Sequence, residues 1–167
     1  IEHVVPALGD VDAFAVATID EAMQLRKLCQ DQRIILLEGV FNEAELHLAL
    51  SQKFDVVVHQ KYQLALLDQL KDSDCLSVWL KVDTGMNRLG FELGFAKNAI
   101  ESLIKSPAIA LHLMSHFAQS DQPLATQTQQ QIKSNDWIAQ QGLPFSFSNT
   151  AAVLSGISQP QEWVRVG

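Results

Sequence analysis

Trp79-Leu80-Lys81-Val82-Asp83-Thr84-Gly85-Met86-Asn87-Arg88-Leu89-Gly90 is the stretch from which the fold is read. The approach to it, residues 76–82, is β-branched and apolar enough for a strand buried on both faces. Asp83-Thr84-Gly85 then favours a turn, because an Asp side chain bonds nearby amides and Gly accepts unusual backbone angles. Two cations, Lys81 and Arg88, flank one carboxylate, Asp83. Charge at the end of a buried strand is costly unless it is paired or used. Residue types alone fit equally well a structural ion pair closing the strand–loop junction and a functional site.

Outward from this stretch, strands and helices alternate. On the N-terminal side, residues 12–17 read as a short buried strand. Thr18 and Glu21 form a capping box that starts a helix over 19–29. Residues 33–38 are a second strand stopped by Gly39, and Asn42 caps the next helix. A third strand covers 54–59 and a helix covers 62–70. On the C-terminal side a helix is expected over 96–103, a strand over 109–116 and a long Gln-rich helix over 124–140. The run Gln127-Thr128-Gln129-Gln130-Gln131 reads as the solvated face of that helix. Short strands at 145–149 and 163–166 complete the pattern.

No linker or shift of composition divides residues 1–167, so a single domain is expected. Alternating units of this kind give an α/β fold, either an open doubly wound sheet or a barrel. The absence of Gly-x-Gly-x-x-Gly disfavours a dinucleotide fold. Regularly spaced parallel strands instead match a (β/α)8 TIM-type barrel short of one unit, with helices outside. Such an arc exposes two unpaired strand edges, which are templates for association.

Composition narrows the function. Hydrophobic residues make up 47% of the 167, which suits a globular core. The formal charge of −7 argues against nucleic acid or an anionic membrane surface as partner. No apolar run is long enough to span a bilayer, and the first residues lack the pattern of a signal peptide. Cys29 and Cys75 lie far apart with no second ligand nearby, so free thiols in a reducing cytoplasm are expected. The five histidines show no metal-ligand spacing.

In a barrel, chemistry belongs at the carboxyl ends of the strands. Lys81 and Asp83, His116, Asn149 and Thr150, and Arg165 with Gly167 all fall at such ends. Each has a plain structural reading: a hydrogen-bonded core histidine, a helix cap at Asn149, a rim ion pair of Arg165 with Glu162. Four strand ends presenting polar groups to one mouth point instead to a site.

Four stretches resemble bacterial alanine racemases, which bind pyridoxal 5′-phosphate. Asp12-Ala13-Phe14-Ala15-Val16-Ala17-Thr18-Ile19-Asp20-Glu21-Ala22 is similar to the family's second barrel strand and helix. In the central motif, Lys81 stands where many members carry a carbamylated lysine, and Arg88 where an arginine contacts the cofactor's phenolic oxygen. Ser115-His116-Phe117-Ala118 with Asp121 resembles the segment whose histidine lies against the pyridine ring. Asn149-Thr150-Ala151-Ala152 resembles the Asn-Ser-Ala-Ala turn that holds the phosphate. Trp163-Val164-Arg165-Val166-Gly167 is similar to Val-Arg-Pro-Gly, in which the arginine faces the pyridine nitrogen and the glycine amide reaches the phosphate. Thr150 in place of serine keeps the hydroxyl, and Val166 in place of proline restores a backbone donor.

The resemblance covers the barrel only. The family's Schiff-base lysine, in a Lys-Ala-Asn-Ala-Tyr-Gly-His-Gly stretch on the first barrel strand, has no counterpart here. Neither has the tyrosine of its C-terminal β domain, and Tyr62 lies in no comparable motif. The resemblance therefore implies strands two to eight of an alanine racemase barrel, inactive alone. The intact protein would be a cytoplasmic homodimer that interconverts L- and D-alanine for peptidoglycan synthesis. The alternatives are a broad-specificity or serine or lysine racemase, and a non-catalytic barrel that binds pyridoxal phosphate.

Overall fold

The computed structural model describes residues 1–8, 11–160 and 162–167, and these fall into two compact units. The first comprises Ile1–Trp79 and Ser106–Ala110; the second comprises Leu80–Lys105 and Leu111–Gly167.

In the first unit, a 3-10 turn at Pro6–Leu8 precedes strand β1 (Ala13–Val16) and helix α1 (Ile19–Leu28). Thr18 caps α1 by accepting from the Glu21 amide, while the Glu21 carboxylate accepts from Thr18 N at 3.1 Å. This is the expected capping box, with Ala22 and Leu25 buried behind it. Strand β2 (Arg33–Leu36) pairs parallel to β1, with Phe14 opposite Ile34. Helix α2 (Glu43–Gln52) begins at its Asn42 cap, and strand β3 (Asp55–Val58) is buried throughout. Helix α3 (Lys61–Leu67) is shorter than its sequence suggests.

Gly39, after β2, shows why the loop there needs glycine. Its φ is +73°, and a Cβ would lie 2.1 Å from Val57 O. Gln63 holds the same loop, donating to Glu38 O at 2.8 Å and accepting from His59 N at 2.9 Å. The start of strand β4 (Leu76–Asp83) lies beside β3 in this unit. There Trp79 Nε1 donates to Asp55 Oδ2 at 2.8 Å.

In the second unit, the end of β4 pairs parallel with a two-residue strand β5 (Phe91–Glu92), which sequence reading did not anticipate. Gly90 makes that return possible. Its φ is +124°, and a Cβ would meet Asp83 N at 2.8 Å. Helix α4 (Leu93–Leu103) starts directly from β5 and buries Ala96, Ala99, Ile100 and Leu103. Strand β6 (Ile109–Met114) neighbours β4, and beyond it lies β7 (Phe145–Ser146), with Leu113 opposite Phe145. Helix α5 (Thr126–Ala139) and the short α6 (Thr150–Leu154) complete the unit. The strand expected at 163–166 forms only an isolated parallel bridge between Asn149 and Arg165.

Candidate functional site

The sharp turn after β4 is built by Asp83. Its Oδ1 accepts from Gly85 N at 2.9 Å and Asn87 N at 3.1 Å, so the carboxylate organises the loop. The Lys81–Asp83 ion pair admitted by the sequence does not form. Among the described residues, neither the Lys81 nor the Arg88 side chain makes an ion pair or hydrogen bond. Lys81 is only 8% exposed, whereas Arg88 is exposed on the loop. Burial, then Arg165 and then Arg88, push the Lys81 pKa down to about 8 against the opposing pull of Asp83.

Arg165 does not pair with Glu162 either. The Glu162 carboxylate accepts from the Ser148 hydroxyl and the Gln159 amide, each at 2.9 Å, and so ties down its own loop. Arg165 instead reaches inward. Its Nη2 donates to Ser115 O at 2.7 Å and lies 3.1 Å from His116 Nδ1, and its Nη1 donates to the buried Ser146 hydroxyl. Because a guanidinium can only donate, His116 Nδ1 must accept, and the ring proton sits on Nε2. Burial, Arg165, Lys81 and Arg88, in that order, lower the His116 pKa to about 4. The imidazole is therefore neutral at physiological pH. Burial also brings Arg165 down to about 10, which leaves it charged.

Asn149 caps α6, accepting from Ala152 N at 2.9 Å and from the Ser120 hydroxyl at 2.6 Å. The plain capping reading of Asn149 holds, and the same residue bridges to Arg165. Thr150 Oγ1 donates to Gly167 O at 3.0 Å and accepts from Gly167 N at 3.1 Å. The structure thus brings together Arg165 with His116, and Thr150 with Gly167. Arg88 and Lys81 join the first pair through charge alone.

The family model for the N-terminal domain of alanine racemase matches residues 1–167. The chain belongs to the alanine racemase family. An alanine racemase from Azoarcus sp. strain BH72 is 39% identical over 162 residues, covering 95% of this chain and 46% of the relative. One from Shewanella frigidimarina is 34% identical over 171 residues, covering 100% of this chain and 46% of the relative. The chain thus spans about half the length of the curated relatives it matches. The crystal structure of a biosynthetic alanine racemase from Pseudomonas aeruginosa superposes with a TM-score of 0.89 at 38% identity, covering 99% of this chain and 47% of that one. The fold class is that of the N-terminal barrel part of alanine racemases, as the strand spacing and the resemblance together led one to expect.

Sequence reading missed the residues that hold these groups in place. Ser115 and Ser146, each 1% exposed, fix the Arg165 guanidinium. Gln131 is fully buried, although its run was read as a solvated face. In fact Gln129 and Gln130 face solvent, while Thr128, Gln131, Asn135 and Ile138 form a buried stripe. A hydropathy pattern cannot register a stripe whose first three members are polar.

Proposed function

We propose that this chain is the cofactor-holding part of a pyridoxal phosphate-dependent racemase that interconverts L- and D-alanine. One observation carries the reading. Lys81, Arg88 and Arg165 act electrostatically on one another or on His116, and the one carboxylate acting on Lys81, Asp83, is engaged by loop amides. Cations that touch no carboxylate directly among the described residues, around a neutral imidazole, suit an anionic aromatic ligand. The donor set therefore fits pyridoxal phosphate, with its phosphate and phenolic oxygen.

Thr150, the Gly167 amide and the Asn149 turn would hold the phosphate. Arg88 and His116 would contact the ring, and Arg165 its nitrogen. When bound, the cofactor withdraws electrons from the amino acid's Cα and so acidifies the Cα–H bond. This chain's residues orient that chemistry. Arg165, always a donor, keeps the atom it faces unprotonated and holds His116 in one tautomer. Lys81, with its pKa near 8, is neutral in roughly a tenth of molecules at pH 7. A neutral amine can add to carbon dioxide, forming an N–C bond and releasing a proton to solvent. The resulting carbamate would convert a cation into an acceptor for Arg88. Mass spectrometry at high bicarbonate should detect it, and an unmodified Lys81 would count against it.

The wider reading is a homodimeric cytoplasmic enzyme that supplies D-alanine for peptidoglycan. Family membership and the free thiols of Cys29 and Cys75 support it. Alone, this chain should not racemise alanine, since no lysine or tyrosine in it occupies a motif like the family's two bases. The test is twofold. Pyridoxal phosphate should bind reversibly, and Arg165→Ala should abolish binding. D-Alanine formation by the chain with excess cofactor should stay at the free-cofactor background. Failure to bind at all would sink the reading, and turnover abolished by mutating a resident lysine would overturn the inactivity.

A further inference from the structure

Gln131 spends its whole amide on two loops and none of it on its own helix. Its Nε2 donates to His116 O at 2.9 Å and to Thr84 Oγ1 at 3.3 Å, while its Oε1 accepts from Ala118 N at 2.9 Å. The orientation of the amide is forced: a carbonyl can only accept and a backbone N–H can only donate. Its Cγ lies 3.6 Å from where a Cβ on Gly85 would stand, so the stem packs on the turn as well.

A second layer repeats the pattern. Gln127 Nε2 donates to Gly85 O at 2.7 Å, and Gln119 Nε2 donates to Gln127 Oε1 at 2.6 Å. Thr128 Oγ1 donates to Gln119 O at 3.0 Å. Thr84 Oγ1 and Ser115 Oγ share a bond of 2.8 Å, and Ser115 O accepts from Arg165. A continuous path thus runs from α5 through Thr84 and Ser115 to Arg165 and His116. Burial by itself does not produce such contacts. Asn135, four residues on along the same face, is fully buried and has a partner for neither amide atom among the described residues.

We infer that Gln131 is a positioning residue, fastening the Thr84–Gly85 turn to the His116–Ala118 loop so that Arg88, His116 and Arg165 are presented to one ligand. The inference rests on the proposed cofactor-binding role of these loops. It also explains why an amide stands where an apolar side chain would fill the same space. An apolar residue would pack α5 but would leave His116 O, Thr84 and Ala118 N without their shared partner.

Gln131→Glu and Gln131→Met separate the two halves of the clamp. Glutamate keeps an acceptor for Ala118 N but cannot donate to His116 O or Thr84. Methionine loses both functions at similar volume. In the chain without cofactor, amide exchange at Gly85 and Asn87 should quicken about tenfold in both variants. The Ala118 amide should lose protection only with methionine. The His116 ring resonances should shift in both, while β1–β3 amides stay unchanged. Pyridoxal phosphate affinity should fall about tenfold, with Ser134→Ala as an unaffected control. Should Gln131→Met fail to fold, Gln127→Met cuts the outer link and Thr84→Val one of the three bonds of Gln131, and each should show the same loop signature more weakly. Unchanged loop exchange, or protection lost equally everywhere, would overturn the positioning role. Wild type that fails to bind the cofactor would sink the functional reading instead, and the exchange data would still decide the clamp.

Discussion

Two partly buried charge clusters, one in each unit, are built on opposite principles. In the first unit Arg33 Nε meets Asp55 Oδ2 at 2.8 Å, Trp79 donates to the same oxygen at 2.8 Å, and Arg33 Nη2 donates to Ser77 at 3.1 Å. The cation meets a carboxylate directly, Trp79 donates to that carboxylate, and Ser77 accepts from the cation. In the second unit Lys81, Arg88 and Arg165 act on one another or on His116, with Asp83 opposing at Lys81 and Glu162 at Arg165. The first cluster is finished by the fold. The second holds more cations than carboxylates, which costs stability and, on the proposed function, would be offset by a ligand that brings negative charge. Buried charge by itself therefore does not mark a site; buried charge without its partner does.

The largest effect should come from spoiling the balanced cluster. Asp55→Ala removes the carboxylate that the Arg33 cation and the Trp79 indole N–H both address. Loss of one partner from a buried pair typically costs about 3–5 kcal/mol, and the 28% exposure of the Arg33 side chain places this case near about 3 kcal/mol. Asp55→Asn should cost less, because its amide oxygen still accepts from Trp79. Urea midpoints for the three proteins measure this. A loss below about 1 kcal/mol for Asp55→Ala would break the comparison, since the cluster would not be stabilising the fold.

A smaller effect should appear on acidification of the unbalanced cluster. His116 titrates at about 4 in the folded chain against the ordinary 6.5. Between those values the unfolded chain binds a proton that the folded chain refuses. Stability contributed by the neutral ring is therefore complete above pH 6.5 and is lost as pH falls toward 4. His116→Gln keeps an acceptor for Arg165 without the titration. Stability of wild type relative to this variant should rise with pH across that window, and parallel curves would show that neither burial nor the cations hold the His116 ring neutral. Solvent reaching the half-buried ring makes the slope shallower than full burial would give.

The elements that were legible in the sequence are those written locally. The Thr18–Glu21 capping box, the Asn42 cap and the β-branched runs of β2, β3 and β4 set their own boundaries within a few residues. What escaped depended on partners distant in sequence. Phe91–Glu92 becomes a strand only because Gly90 folds the loop back onto Val82 and Asp83. Residues 163–166 have strand composition but leave only one bridge among the described residues, because Trp163 N and Arg165 N, two residues apart, donate to Phe145 O and Ser148 O, three residues apart, so the two segments run out of step. The site residues Lys81, His116 and Arg165 could be placed at strand ends from their order. Their mutual arrangement could not, nor could the contribution of Gln131, whose neighbours lie 13 to 47 residues away.

The smallest effect has the most diagnostic sign. Lys81→Met removes a buried cation that burial, Arg165 and Arg88 all oppose, and it replaces that cation with an apolar chain of similar length. If the cluster is unbalanced, the variant should be more stable than wild type at pH 7 by about 1 kcal/mol. The gain should also depend on pH in a set direction. Lys81 titrates at about 8 when folded and at 10.5 ordinarily. Below pH 8 both states carry the charge and the folded chain bears the whole penalty. As pH climbs toward 10.5 the folded chain has released its proton while the unfolded chain still holds it, so the penalty disappears. The advantage of Lys81→Met should therefore shrink over that range and vanish near its top. In the same variant the His116 titration should move up from about 4, because Lys81 is one of the charges holding it down. Chemical unfolding at several pH values, with NMR titration of the His116 ring, reads both. A variant less stable than wild type at pH 7 would mean that Lys81 has a stabilising partner in the folded chain. The second cluster would then be as self-sufficient as the first.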